Sequence, residues 1–249
     1  MKTLKYALLF AFAAFAVAAC SRKPVQPQFG ASDIDTLIAS PGGVMCRVGY
    51  RYAPILNASA SPALQAVEEA NIGYFFELEG FTGTAREAAE ATLREIAAEF
   101  AEGIPAGSVG ADYEISVEAE GGVTDTLITY TITRASYTGG AHGIYGIECH
   151  TYSLESGYEL TAADLLGAER LPRVGERIRA RLYEQYEAAN DEELTGKGFF
   201  PENIAVTDNF CVTPEGVTFI YNPYEIGCYA LGLVEVTLTK EELDELGKP

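Results

Sequence analysis

Cys20 is the residue whose setting most directly names a chemistry. It closes Val17-Ala18-Ala19-Cys20. Small side chains before a thiol are what a lipoprotein signal peptidase accepts, and the thiol is what takes the diacylglycerol. Upstream, Met1-Lys2-Thr3-Leu4-Lys5 is short and basic. Tyr6 to Ala19 is then an apolar run of about fourteen residues, of signal-peptide length and short of the roughly twenty that span a bilayer. Residues 1–19 are therefore read as a lipoprotein signal peptide and Cys20 as the lipidated, palmitate-bearing N-terminus. The competing reading is an ordinary secretory signal with Cys20 incidental. Ser21 rather than Asp follows the cysteine. By the sorting rule of Gram-negative lipoproteins, that favours an outer-membrane anchor facing the periplasm. Two acyl chains hold stably where one would be marginal.

Four further cysteines are Cys46, Cys149, Cys211 and Cys228. An even number in an oxidising compartment predicts two disulfides, with three pairings open. Cys211 and Cys228, which flank a hairpin and its following loop, are the first pair to expect. No close Cys pair is backed by a second, and Cys149 and His150 are neighbours that point to opposite faces of a strand. No metal and no cofactor is therefore expected.

His142 stands in Tyr137-Thr138-Gly139-Gly140-Ala141-His142-Gly143. A histidine can serve as a general base, but no Ser or Cys with a supporting motif accompanies it. Gly139, Gly140 and Gly143 favour a backbone role, a loop that locks two strands with His142 hydrogen-bonded inside. Tyr221, Tyr224 and Tyr229 could form a binding face, since tyrosine joins contact area to a polar tip; core packing of an irregular segment is the other reading. Candidate binding residues are thus Tyr137, Gly139, Gly140, His142, Tyr224 and Tyr229. The acidic pairs Glu68-Glu69 and Glu192-Glu193 lack glycosidase spacing and read as solvated surface.

Hydrophobic residues make up 48% of the chain, and 15 Tyr and 12 Phe stand beside no Trp. Beyond the signal and tether about 215 residues remain, enough for one sizeable core or two small lobes. Without Lys2 and Lys5 of the signal, 15 basic and 36 acidic residues remain, a formal charge of −21. Such a surface disfavours nucleic acid and anionic lipid and suits a basic partner, or simply keeps the protein soluble.

Ser21 to Ser32, with Pro24 and Pro27, reads as a tether. Val44 to Tyr52 alternates as a strand. Ser61 and Pro62 open a helix with Leu64, Val67, Asn71, Tyr74, Phe75 and Leu78 on one face. Thr84 with Glu87 opens a second by a capping box, stopped at Gly103 and Pro105. Tyr113 to Ala119 is a strand, turned at Gly121-Gly122 into a Thr-rich strand over 123–135, and 144–154 forms another. Short and long helices follow over 162–166 and 172–188. A polar loop spans 190–207. Phe210 to Thr213 and Val217 to Tyr221 make a hairpin, 233–238 is the last strand, and Thr239 with Glu242 caps a terminal helix. The expectation is an α+β fold with an antiparallel sheet packed by helices.

Two segments carry a family resemblance. One is the glycine–histidine stretch Tyr137 to Gly143 with the following Ser153-Leu154-Glu155-Ser156-Gly157-Tyr158-Glu159-Leu160. The other is Phe210 to Leu238, including Asn222-Pro223-Tyr224-Glu225-Ile226, Tyr229-Ala230 and Gly232. Together they resemble an uncharacterised extracytoplasmic domain family. It occurs in the lysozyme-sensing anti-sigma-V factor, beside some peptidoglycan deacetylases and in free-standing lipoproteins. Val44 to Gly103 is similar to the partner domain that usually precedes it. The cytoplasmic arm and spanning helix of the anti-sigma factor have no counterpart here, nor does the metal-binding catalytic domain of the deacetylases. The family often shows Pro at the place of Cys228, which implies that Cys228 was recruited for a disulfide.

The expected organisation is a signal peptide over 1–19, a tether over 20–32, a helix-rich partner region over 33–108 and an α+β C-terminal domain over 109–249. The expected function is a non-catalytic envelope binding module, held to the membrane by its lipid, for a basic protein such as lysozyme or for cell-wall glycan (peptidoglycan). The alternative is a cell-wall-modifying hydrolase using His142.

Overall fold

The computed structural model describes residues 23–103 and 112–247. Cys20 and Pro105 lie outside them. The first five strands form one sheet in chain order: β1 (Ser32–Ala39), β2 (Met45–Tyr52), β3 (Tyr113–Thr124), β4 (Leu127–Tyr137) and β5 (Ile144–Ser153). Helices α1 (Pro62–Phe76) and α2 (Ala85–Gly103) lie between β2 and β3. Because two helices intervene, β3 returns parallel to β2, with Val48 opposite Ile115, while the remaining pairs are antiparallel. The α+β class holds, and the sheet departs from pure antiparallel at this crossover.

The helices form where their ends are satisfied. Ser61 accepts the Leu64 N–H at 3.2 Å and Pro62 supplies the first turn of α1. Thr84 and Glu87 exchange backbone and side-chain bonds ahead of α2. Both pack on the face of the sheet that carries Val48, Tyr50, Tyr52, Ile128, Tyr130 and Ile132. Tyr52 and Phe75 meet edge to face at 5.1 Å and Phe75 and Phe76 at 4.8 Å, contacts worth roughly 0.5–1.5 kcal/mol each beyond burial. Glu68 is spent inside this lobe, accepting the Tyr52 hydroxyl and the Ile55 N–H at 2.9 and 2.7 Å. It is a strut rather than a solvated acid.

A second core gathers residues from Ala162 to Leu238. Here α3 (Ala162–Leu166), α4 (Leu171–Gln185) and α5 (Asp191–Gly196) precede the sheet of β6 (Phe210–Val212), β7 (Gly216–Tyr221) and β8 (Val234–Thr239), which α6 (Lys240–Leu246) closes. Val174, Ile178 and Leu182, spaced by four, are the buried stripe of α4. The polar stretch 190–207 holds α5, capped by Asn190, and buries Leu194 and Phe199. The two cores divide within residues 155–161, whereas position 108/109 falls between α2 and β3, inside the span of the first sheet.

Several local expectations change. Gly121-Gly122 is not a turn: β3 runs through it, and the chain reverses at Asp125, which has φ 55°. The glycine makes room for a ring, since a Cβ on Gly121 would lie 2.1 Å from Phe29. That contact also docks the end of the tether, whose Gly30 N–H donates to the Pro54 carbonyl at 2.8 Å. β1 is an edge strand without a counterpart in the sequence reading, because Leu37 on it is 57% exposed and blurs the alternation. Cys211 pairs with Cys149 across the two lobes, not with Cys228. Cys46 is buried and unpaired, and Cys228 is also unpaired. Two neighbouring sheets bring Cys149 and Cys211 together, which spacing along the chain does not reveal.

Candidate functional site

The glycine–histidine segment joins β4 to β5. Gly139 and Gly140 hold φ of 89° and 99°, a region side chains avoid. A Cβ on Gly143 would lie 2.7 Å from the Ser136 carbonyl oxygen. The sequence placed His142 inside this loop; the tight turn instead presents its ring at the surface. The ring stacks on Tyr229 with centroids 4.0 Å apart and planes at 22°. Its Nδ1 lies 2.9 Å from the Gly143 carbonyl oxygen, which also accepts the Tyr229 hydroxyl at 2.8 Å. A carbonyl only accepts, so Nδ1 carries the proton.

Tyr224 lies 5.6 Å from Tyr229 and Tyr145 lies 6.0 Å away, edge on. Tyr224 is 57% exposed and Ile144 68%. The result is an aromatic face around Tyr229, bordered by a hollow of about 360 Å3 between Tyr137, Ile144 and Tyr145. Tyr137 braces the loop by donating to the Gly140 carbonyl at 3.1 Å, and Gly139 faces Tyr113. Core packing holds only for Tyr221, which is buried and donates to the Ala205 carbonyl at 2.7 Å. Tyr224 and Tyr229 belong to the surface.

Asn222-Pro223-Tyr224-Glu225 sets this face. Glu225 accepts the Asn222 N–H at 2.9 Å, closing a turn in which Tyr224 takes φ 75°. Asn222 in turn grips β5, accepting the Ile147 N–H at 2.7 Å and donating to its carbonyl at 3.1 Å. The motif is therefore a clamp first, and it carries Tyr224 to the surface as a consequence.

A second cluster escaped sequence reasoning. His150 lies on the helix-facing side of β5, stacked on Tyr74 at 3.8 Å. Its Nδ1 is 2.8 Å from Glu159, and its Nε2 is 3.9 Å from Glu148, beyond hydrogen-bond range. Tyr74 donates to Glu159 at 2.7 Å. Burial opposes the charged imidazole, but the two carboxylates outweigh it and raise the His150 pKa. Glu148 is held below the usual range, first by His150 and also by Arg134. Arg134 donates to Glu148 at 2.9 Å and to the Tyr74 and Phe75 carbonyls that end α1. The only sequence signal was the i, i+2 spacing of Glu148 and His150, which puts both on one strand face. Tyr74 and Glu159 come from distant elements.

Of the acidic pairs, Glu193 accepts the Ala189 N–H at 2.9 Å and helps seat α5. No group of three or more potential metal ligands occurs among the described residues. No helix among them is long and apolar enough to cross a membrane.

These features define an α+β protein of two cross-linked lobes with a surface aromatic face and an internal ionic cluster. Residues 163–241 match a family described as a protein of unknown function, DUF3298, a span that coincides with the second core. Two solved structures share the fold. One is a DUF3298-family member from Bacteroides fragilis NCTC 9343, 20% identical, with a TM-score of 0.76 over 88% of this chain and 92% of that one. The other is a DUF3298-family protein from Pseudomonas aeruginosa PAO1, 16% identical, with a TM-score of 0.63 over 89% of this chain and 94% of that one. No curated protein matches the chain.

Proposed function

We propose that the chain is a lipid-anchored envelope protein whose folded domain binds a partner and performs no chemistry. The observation that carries this reading is the ring cluster of exposed His142 and Tyr224 around the half-buried Tyr229, held by a glycine turn and an asparagine clamp. Rigid aromatic side chains give contact area at low entropic cost, the property of binding anchors. His142 is fixed within this face, its Nδ1 turned to a backbone carbonyl and one side of its ring covered by Tyr229.

The partner we favour is a strongly basic protein, with lysozyme the first candidate and cell-wall glycan the second. The charge of −21 without the signal would accelerate encounter with a basic surface, while the aromatic contacts would slow departure. The resemblance of the glycine–histidine and Pro-Tyr-Glu segments to a lysozyme-sensing factor supports the same choice. Cys20 would hold the domain on the outer membrane, in the periplasm. Calorimetry against lysozyme at about 50 and 300 mM salt tests the reading, because screening shortens to about 8 Å at physiological ionic strength. Binding that weakens with salt and is lost in Tyr229→Ala, with the fold retained, is the expected result. Turnover of a wall fragment that disappears in His142→Ala would replace it with the hydrolase.

A further inference from the structure

A cleft of about 620 Å3 lies apart from the aromatic face. It lies where the C-terminal half of α1 and the following turn pass over the edge of the first sheet. The small residues Ala66, Ala70 and Gly73 leave the space open on α1, and Leu78 and Phe81 wall it from the turn. Its volume falls within the roughly 300–1,000 Å3 of small-molecule sites, which are mostly apolar with a few placed polar groups.

The charged groups here are mostly acidic. Glu69, Glu77, Glu79 and Glu148 line the cleft, and Arg134 is the one basic residue with them. Arg134 is engaged by Glu148 and by the carbonyls of Tyr74 and Phe75, and it reaches the exposed Glu77 carboxylate only at 3.9 Å; its side chain is 18% exposed. It therefore serves as the brace that closes the cleft floor, not as a receptor for an anion. The negative pole of α1 ends at Glu77, where the chain turns with φ 55°, and Arg134 meets part of it through the Tyr74 and Phe75 carbonyls. Phe81 contributes a ring of the kind that attracts cations, while Tyr74 is already stacked on His150. A neutral apolar ligand would leave this field unused, and a carboxylate would meet it with the wrong sign.

We propose that this cleft is a binding site for a small organic cation, an ammonium or guanidinium group borne on an aliphatic or aromatic body. The body would lie against Ala70, Gly73, Leu78 and Phe81, with the cationic head toward Glu77 and Glu79. The site is independent of the aromatic face around Tyr229 and of any protein partner there.

Three probes of matched shape test it on the folded protein: 4-phenylbutylammonium, 4-phenylbutanol and 4-phenylbutyrate, each titrated while backbone amide shifts are followed. The expected result is shifts centred on Ala70, Gly73, Leu78 and Phe81. The ammonium should bind about tenfold tighter than the carboxylate, since each exposed charge pair contributes little and several must act together. The E77Q/E79Q variant, altered only at exposed side chains, should narrow that ratio while leaving the alcohol unchanged. Ala70→Phe should block all three probes. If it misfolds, the double glutamine variant still decides. No shifts at the cleft, equal binding of ammonium and carboxylate, or a ratio unmoved by E77Q/E79Q would each overturn the proposal. Loss of lysozyme binding would not, because that reading rests on Tyr229.

Discussion

Asn222 bonds to both main-chain groups of Ile147, accepting the N–H at 2.7 Å and donating to the carbonyl at 3.1 Å. Asn209 does the same one step along β5, accepting the Cys149 N–H and donating to the Ile147 carbonyl, both at 2.8 Å. Two side-chain amides thus take the place of a sixth strand along the open edge of the sheet. They satisfy an edge that would otherwise invite pairing with another chain, and they fasten the second lobe to the first. Asn222→Leu keeps the volume and removes both functions. The Ile147 carbonyl would retain Asn209, and the N–H would be left without a partner, a loss of about 1–3 kcal/mol. Urea denaturation should register it, and combination with Asn209→Ala should be non-additive because the two share Ile147. A neutral Asn222→Leu would show that the edge is satisfied otherwise.

The Cys149–Cys211 bond closes a separation of 62 residues between the lobes. Constraint of the unfolded chain over such a loop is worth about 4 kcal/mol. Peptide mapping after alkylation without reduction should recover Cys149 joined to Cys211, with Cys46 and Cys228 alkylated once the chain is unfolded. A Cys211–Cys228 peptide would restore the pairing expected from sequence. In the native fold the buried Cys46 should react far more slowly than Cys228.

His150 should make stability depend on pH with a definite sign. Its pKa is raised, so its share is complete below the ordinary histidine value of 6.5 and is lost as pH rises through the higher folded value. Glu148 and Glu159 are lowered, Glu159 because His150 and Tyr74 outweigh burial; their share is present above the ordinary 4.5 and is lost as pH falls through their folded values. The cluster therefore supports the fold most between those two values. Urea midpoints measured across pH 4 to 9 should fall on the alkaline side in the wild type, and His150→Phe should flatten that limb. Parallel profiles for the two proteins would remove the cluster from the account.

Lipidation at Cys20 is tested by metabolic labelling with a fatty acid. Label in the wild type and none in Cys20→Ala is the expected result. Equal labelling would assign Cys20 no role, and absence from both would favour the plain secretory signal.

Much of the fold was legible because its signals are local. Ser61-Pro62, Thr84 with Glu87 and Thr239 with Glu242 begin helices through bonds within one turn, and the structure keeps all three. The spacing of Val174, Ile178 and Leu182 marks a buried stripe wherever the helix packs. The alternation of Cys46, Val48 and Tyr50 likewise puts one strand face inside. Gly139 and Gly140 announced a turn because only glycine tolerates that backbone.

What tertiary structure decided are relations between segments far apart in the chain. Cys211 chose Cys149 because β6 lies against β5, a neighbour 62 residues away. Gly121 stayed within a strand because Phe29, from the tether, needed its missing side chain. His142 came to the surface because Tyr229 offered a ring to stack on. His150 became an ionic centre because Tyr74 and Glu159 arrived from α1 and from the turn after β5. Local sequence specifies backbone conformation through sterics and short-range hydrogen bonds. It carries no distance between elements, and those distances are what turn scattered tyrosines, histidines and cysteines into a binding face, a cluster and a cross-link.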